Sequence, residues 1–135
     1  MFKLKRIVNS GANVPEPELL SSQLSVFLKA GSTAYCKDGL ISPGGESTIP
    51  THVLLRNKDK GETEALCYKI YPNMIFEVEV VGDNVAALSK GKKIRLCNEG
   101  FGYSKCSDEV EGGVALIVDM NGAVKSGDTV YVSFI

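Results

Sequence analysis

MIFEVEVV, residues 74–81, is the stretch of this 135-residue chain that most clearly decides its fold. Its apolar and acidic residues alternate, so that Phe76, Val78 and Val80 share one face and the two glutamates share the other. A period of two is typical of a β-strand with one buried face, whereas a helical period would place the glutamates among the apolar residues. The stretch therefore predicts a strand with Phe76, Val78 and Val80 turned inward.

Further strand signals lie on both sides of this stretch. Residues 63–71 alternate as well, and we expect Leu66, Tyr68 and Ile70 to form the buried face and Cys67 to lie on the less buried one. The other short strands are predicted at residues 2–8, 25–29, 33–36, 51–57, 93–97, 101–106, 114–120 and 129–134. A charged loop is expected to follow residue 57, over 58–62.

Glycine-centred turns separate these strands. The 14 glycines follow no collagen-like period, and glycine tolerates the positive φ that tight hairpins require. Turns are predicted at residues 37–39 and 98–100, and the pair Asn121-Gly122 is the strongest hairpin signal, since a type I′ turn needs positive φ at both positions. The sequence therefore predicts an all-β fold, a small barrel of short antiparallel hairpins.

Composition and charge limit the class of protein. A chain with 44% hydrophobic and 23% charged residues has enough apolar material for one packed domain. A net charge of −1 does not favour polyanion binding by the chain as a whole. No segment approaches the roughly 20 apolar residues of a membrane span, and no apolar region follows the basic residues 3–6, so we expect no secretion signal and synthesis in the cytoplasm.

The N-terminal region is predicted to be a strand followed by an extended arm, over residues 1–24, with a single barrel-like domain over 25–135. Two prolines near position 16 favour extended backbone there, and no apolar stripe supports a helix. An arm of this kind suits partner binding. The candidate partner-binding residues are Val14, Pro15, Glu16, Pro17, Leu19 and Leu20.

No group of residues in the sequence favours catalysis, a metal or a cofactor. The aspartates fall mostly in turns, where they usually bond their own backbone, and His52 is expected to be a structural or surface residue. The four cysteines, Cys36, Cys67, Cys97 and Cys106, are too far apart for a typical zinc site. A Cys97–Cys106 disulfide across a hairpin is conceivable, but a cytoplasmic protein favours free thiols. The sequence indicates a protein without enzymatic activity.

One alternative is a small barrel that binds nucleic acid or another ligand. Its binding strand would carry Lys90, Lys92, Lys93 and Arg95, with Phe101 and Tyr103 as stacking residues. A solvated strand and turn is the simpler interpretation of the same residues, so nucleic acid is not the expected partner.

The order of features in the C-terminal half resembles that of bacteriophage capsid decoration proteins, also called cement or head-stabilising proteins. An apolar Ala86-Ala87-Leu88 leads into the strand 93–97, a glycine hairpin, the strand 113–118 and a closing SGDTVYVSF at 126–134; the outline extends over about residues 25–135. The resemblance implies a compact β-barrel or β-tulip on the capsid surface, often a homotrimer. It also implies that the N-terminal arm binds the major capsid protein by adding a strand to exposed edges.

Overall fold

The computed structural model describes residues 1–8, 15–100 and 102–135. Its regular structure is β-strand, apart from the short 3-10 helix Val85–Ala87. The strands are β1 (Lys3–Ile7), β2 (Pro17–Ser22), β3 (Thr33–Lys37), β4 (Leu40–Pro43), β5 (His52–Leu54), β6 (Glu64–Lys69), β7 (Met74–Val81), β8 (Lys93–Ile94), β9 (Leu96–Cys97), β10 (Lys105–Ser107), β11 (Ala115–Asp119) and β12 (Thr129–Ser133). The predicted all-β barrel fold is confirmed.

Strand β7 is the centre of a seven-stranded sheet with the order β8-β11-β12-β7-β10-β9, to which β1 is added on β7. Phe76, Val78 and Val80 are buried, and the alternating Glu77 and Glu79 face outward, as predicted. The glutamates form ion pairs across the sheet, Glu77 with Lys5 at 2.9 Å and Glu79 with Lys105 at 2.8 Å. The alternation in residues 74–81 therefore specifies both the strand and its orientation.

The second sheet is a closed five-stranded barrel with the order β2-β4-β3-β5-β6, in which β2 pairs with β6 to complete the ring. Its interior is filled by a small cluster of buried side chains: Leu28, Ala34, Ile41, Leu54, Ala65 and Cys67. Cys67 is fully buried here, whereas we had expected the less buried face. The expectation was wrong because β6 is covered on both faces at the adjacent residues Cys67 and Tyr68, so alternation does not separate an exposed side from a buried one there.

The outer face of the barrel contributes to the core of the larger sheet. Val53 of β5, Tyr68 of β6 and Ile70 pack with Phe76 and the other buried residues of the seven-stranded sheet. The Tyr68 and Phe76 rings are stacked with their centroids 6.5 Å apart. Strands β5 and β6 are thus a wall shared by the two hydrophobic cores.

Two of the predicted turns contain residues with positive φ, which allows the backbone to reverse direction tightly. Asp38 and Gly39 have φ of 53° and 78° and close a two-residue hairpin in which Lys37 pairs with Leu40. Asn121 and Gly122 also have positive φ, 52° and 72°, as a type I′ turn requires. They do not join two strands directly, however.

The backbone after Asn121-Gly122 turns again instead of continuing as a strand. Both the Val124 and the Lys125 N–H groups donate to Asp128 Oδ2, at 3.0 and 3.1 Å. Strand β12 therefore begins only at Thr129.

The N-terminal region differs from the predicted arm. Strand β1 pairs antiparallel with β7, and β2 pairs antiparallel with β6 from Pro17↔Tyr68 to Ser21↔Glu64. Residues 17–22 are thus a strand of the barrel, and the described structure has no boundary between an arm and a domain at residue 24. Residues 9–14, the first part of the expected arm, lie outside the described residues.

Lys58 differs from the expected charged surface loop. Its side chain is buried, 1% exposed, and its ammonium group donates to the carbonyl oxygens of Gln23 and, at 2.6 Å, Val26. Its backbone exchanges hydrogen bonds with Leu28, a residue of the barrel interior. Lys58 therefore ties the segment after β2 to the segment after β5.

No helix in the described ranges has the length and apolar content needed to cross a bilayer.

Candidate interaction surface

The residues predicted to bind a partner do not all face solvent, because neighbouring residues of β2 point alternately to the barrel interior and to its outer surface. Leu20 packs against the barrel interior, and its neighbour Leu19 points outward with 53% of its surface exposed. Pro15 and Pro17 line a surface groove, and Glu16 is exposed beside it. Val14 lies outside the described residues. The structure thus keeps Pro15, Pro17 and Leu19 available at the surface and makes Leu20 a packing residue.

Three leucines from adjacent strands form an apolar row on the outside of the barrel, here called the leucine row. Leu19 of β2 lies directly opposite Leu66 of β6, and Leu66 accepts a backbone hydrogen bond from the Leu55 N–H at 2.9 Å. Leu19 and Leu55 are 53% and 45% exposed, and Leu66 is half-buried between them. Pairing across the strands therefore places an exposed apolar surface at the face that the sequence had identified only through Leu19.

An apolar groove of about 360 Å³ adjoins the leucine row and separates β1 from the barrel. Its lining residues are Met1, Phe2, Lys3, Leu4, Pro15, Pro17, Ala30, Gly31, Val53, Leu54, Leu55 and Tyr68. Lys3 is the only charged residue in that lining. Burial raises the pKa of the Tyr68 phenol to about 12, so this ring is neutral at physiological pH. The groove can bury apolar side chains, and its lining offers no convergent acid–base pair.

A buried histidine fixes β2 beside the groove. The His52 ring is within hydrogen-bond distance of Glu18 Oε1 through Nε2, 2.7 Å, and of Thr51 Oγ1 through Nδ1, 2.8 Å. Thr51 Oγ1 also accepts a hydrogen bond from the Cys36 N–H at 2.8 Å. His52 thus joins β2, β3 and β5, which agrees with the structural role expected for it.

In the basic strand of the alternative interpretation, Arg95 is paired with acidic side chains. The Arg95 guanidinium forms ion pairs with Glu46 and, at 2.8 Å, with Glu109. Tyr103 is half-buried and packs against the larger core, so its ring is not an open stacking platform. Phe101, the other expected stacking residue, lies outside the described residues. Arg95 and Tyr103 are thus engaged in contacts within the protein.

The cysteines are free thiols. Cys97 lies opposite Lys105, and Cys106 lies opposite Leu96, so the two cysteines point to opposite faces of the β9–β10 pair and cannot form the conceivable disulfide. Burial raises the pKa of the Cys67 thiol to about 12 and also raises that of Cys106, which keeps both protonated and unreactive. The described residues contain no group of three or more His, Cys, Asp or Glu side chains able to hold a metal ion.

Comparison with known proteins finds similarity at the level of structure. No protein-family model matches the chain, and no curated protein matches its sequence. The chain is similar in structure to the N base of head fiber gp8.5 in bacteriophage phi29, with a TM-score of 0.53 and 18% sequence identity. The match covers 90% of this chain and 95% of that chain. At this identity the likeness shows a shared fold.

Proposed function

We propose that the chain is a structural protein of a bacteriophage or prophage virion, and that it decorates and stabilises the capsid. The observation that carries the proposal is the fold shared with the base of a phage head fiber, which extends over nearly the whole of both chains. The order of turns and strands in the C-terminal half, which resembles that of capsid decoration proteins, supports the same class.

The surface of the molecule is suited to such a binding role. The leucine row and the groove beside it expose apolar side chains from β2, β5 and β6 at one place. Contiguous exposed apolar surface is typical of protein-binding sites, because leaving it in water costs free energy. The proposed partner is the major capsid protein, contacted through this face, and the proposed assembly on the capsid is a homotrimer.

The test measures binding to capsids of the phage or prophage that encodes the chain. Particles prepared from a strain lacking the gene are mixed with the purified chain and sedimented, and bound protein is quantified. We expect saturable binding with a fixed number of chains per capsid. We also expect Leu19→Asp to lower the affinity by about tenfold or more, because it places a charge in the buried part of a contact.

A matched control separates contact from general surface change. Ile49 is 52% exposed and lies outside the leucine row and the groove, so Ile49→Asp should bind capsids as the unchanged chain does. Light scattering of the purified chain should give three times the chain mass. Absence of the chain from wild-type particles, together with no binding to the gene-deleted ones, would refute the proposal.

A further inference from the structure

Within the described residues, the edge of β1 that faces the groove has backbone groups without a strand partner. Val80 accepts from the Gly127 N–H and donates to the Asp128 carbonyl, so even-numbered residues of β7 bond toward β12 and odd-numbered ones bond toward β1. Glu77 is therefore the residue that exchanges hydrogen bonds with its partner Lys3. Because the direction alternates along a strand, the N–H and C=O of Leu4 point away from β7, to the opposite edge.

Among the described residues, this opposite edge of β1 has a backbone hydrogen bond only at its start. The Phe2 N–H donates to the Gly31 carbonyl at 2.8 Å, and both residues line the groove. Beyond that bond, the described residues provide no strand on this side of β1, and Leu4 also lines the groove. An unpaired strand edge accepts an extended segment through its main-chain hydrogen bonds.

The charge around the edge indicates which segment would fit. Lys3 is the groove's charged lining residue, and Arg6 is exposed further along β1. Within the described structure neither side chain forms an ion pair, whereas Lys5 between them is paired with Glu77. One unpaired cation in the groove lining and a second further along the same strand favour a ligand that carries acidic residues.

We infer that the groove binds an extended peptide segment of a partner protein, with apolar residues alternating with acidic ones. The segment adds a strand to β1 at Leu4, places its apolar side chains against Val53, Leu55 and Tyr68, and directs carboxylates to Lys3 and Arg6. This inference names the receiving face for the proposed virion partner and in that respect rests on the proposed function. The peptide assay below needs no particle, so the two can fail separately.

The test uses three synthetic, end-capped heptapeptides. The first alternates valine and glutamate, the second alternates valine and lysine, and the third is the first with N-methyl groups on its three central residues. Titration into the 15N-labelled chain should show binding of the first, with shifted amide signals at Lys3, Leu4 and Leu55. The second should bind about fivefold more weakly or less tightly still, because the loss of one exposed ion pair lowers the affinity by about that factor. The third should not bind, because N-methylation removes the main-chain donors.

Each outcome decides a part of the inference. If the first peptide does not bind at a concentration of about 1 mM, its Kd is weaker than that value and the inference is refuted. Equal binding of the lysine peptide refutes the acidic ligand, and equal binding of the N-methylated peptide refutes strand addition.

Two variants give an independent check on folded protein. Leu55→Glu places a carboxylate at the groove and should abolish binding of the glutamate peptide, whereas Ile49→Glu should leave it unchanged. A wild-type oligomer that Leu55→Glu converts to a monomer would show that a second copy of the chain occupies the groove, and the peptide inference would be wrong. Undiminished capsid binding by Leu55→Glu would refute the inference and leave the proposed function standing.

Discussion

Lys58 is a buried charged residue whose hydrogen bonds matter for stability. A charged group out of water is tolerated only when its hydrogen-bonding capacity is used, and here the Gln23 and Val26 carbonyls accept from the ammonium group. These two hydrogen bonds are directional contacts in a place where most neighbouring side chains pack by apolar contact. The stability of the segment after β2 depends on them.

Lys58→Ala should therefore lower the free energy of unfolding by about 3 kcal/mol, because it removes two charge-assisted hydrogen bonds and leaves a cavity. Lys58→Met keeps most of the volume and also removes the cost of burying a charge, so its effect should be smaller. Urea unfolding followed by circular dichroism measures both. Lys60→Ala, at an exposed lysine nearby, is the control and should change stability by less than about 0.5 kcal/mol. Equal stability of Lys58→Ala and Lys60→Ala would contradict this role.

Asp128 gives a residue-scale prediction about pH. The Val124 and Lys125 N–H groups donate to its carboxylate and hold the pKa below its ordinary value of 3.8. A depressed pKa in the folded state means that the contribution to stability is present above pH 3.8 and is lost as the pH falls through the folded-state pKa. Asp128→Asn should thus have a lower Tm than the unchanged chain at pH 7, and the difference should shrink in acid. Asp83→Asn, at an exposed turn aspartate, is the control for the loss of a carboxylate at a turn. If the difference between Asp128→Asn and the unchanged chain stayed constant with pH, the assignment would be refuted.

At the scale of the element, β2 combines a structural face and a candidate binding face in six residues. Leu20 is turned into the barrel, and Leu19 is turned to solvent within the leucine row. The two positions are adjacent and chemically identical, so they form a matched pair for separating folding from binding.

Leu20→Asp should destabilise the chain by about 3 kcal/mol or more, since it places a charge against a packed interior. Leu19→Asp should leave the free energy of unfolding within about 0.5 kcal/mol of that of the unchanged chain, because about half of the Leu19 side chain is already exposed to solvent. Denaturation of both variants side by side measures the difference. If Leu19→Asp were as destabilising as Leu20→Asp, the leucine row would be a packing feature and not an exposed surface.

The elements that local pattern could predict are those whose burial differs between their two faces. Strand β7 is of this kind, and its inward residues follow directly from alternation. Strand β2 is not, because Pro17 at its start and several polar residues give it the local character of a loop. It is a strand because it pairs with β4 and with β6, the latter more than forty residues away. The candidate binding face was predictable in part for the same reason. Pro15, Pro17 and Leu19 were identifiable locally, but Leu55 and Leu66 join them only through a strand register that no local signal specifies.

At the scale of the whole molecule, the described residues among the first 24 are part of the two sheets and their core. They supply β1 to the larger sheet and β2 to the barrel, and Phe2 is buried against Phe76 and Phe134. Without them the barrel ring is open between β4 and β6.

A chain that starts at residue 25 should therefore lose its sharp thermal transition and expose apolar surface that binds a hydrophobic dye. Circular dichroism and dye fluorescence across a temperature ramp would measure this. The unchanged chain, prepared in parallel, provides the reference. A truncated chain that still melts sharply would show that residues 1–24 are a separable arm after all.

The wall formed by β5 and β6 has one more consequence, for cooperativity. Val53 and Tyr68 belong to the core of the larger sheet, while Leu54 and Cys67 fill the barrel. Unfolding of either sheet would therefore expose part of the other sheet's core to solvent. The molecule has two cores but a single folding unit. Calorimetry should thus record one heat-absorption peak whose measured enthalpy equals the van't Hoff enthalpy, with no population in which one sheet survives the other.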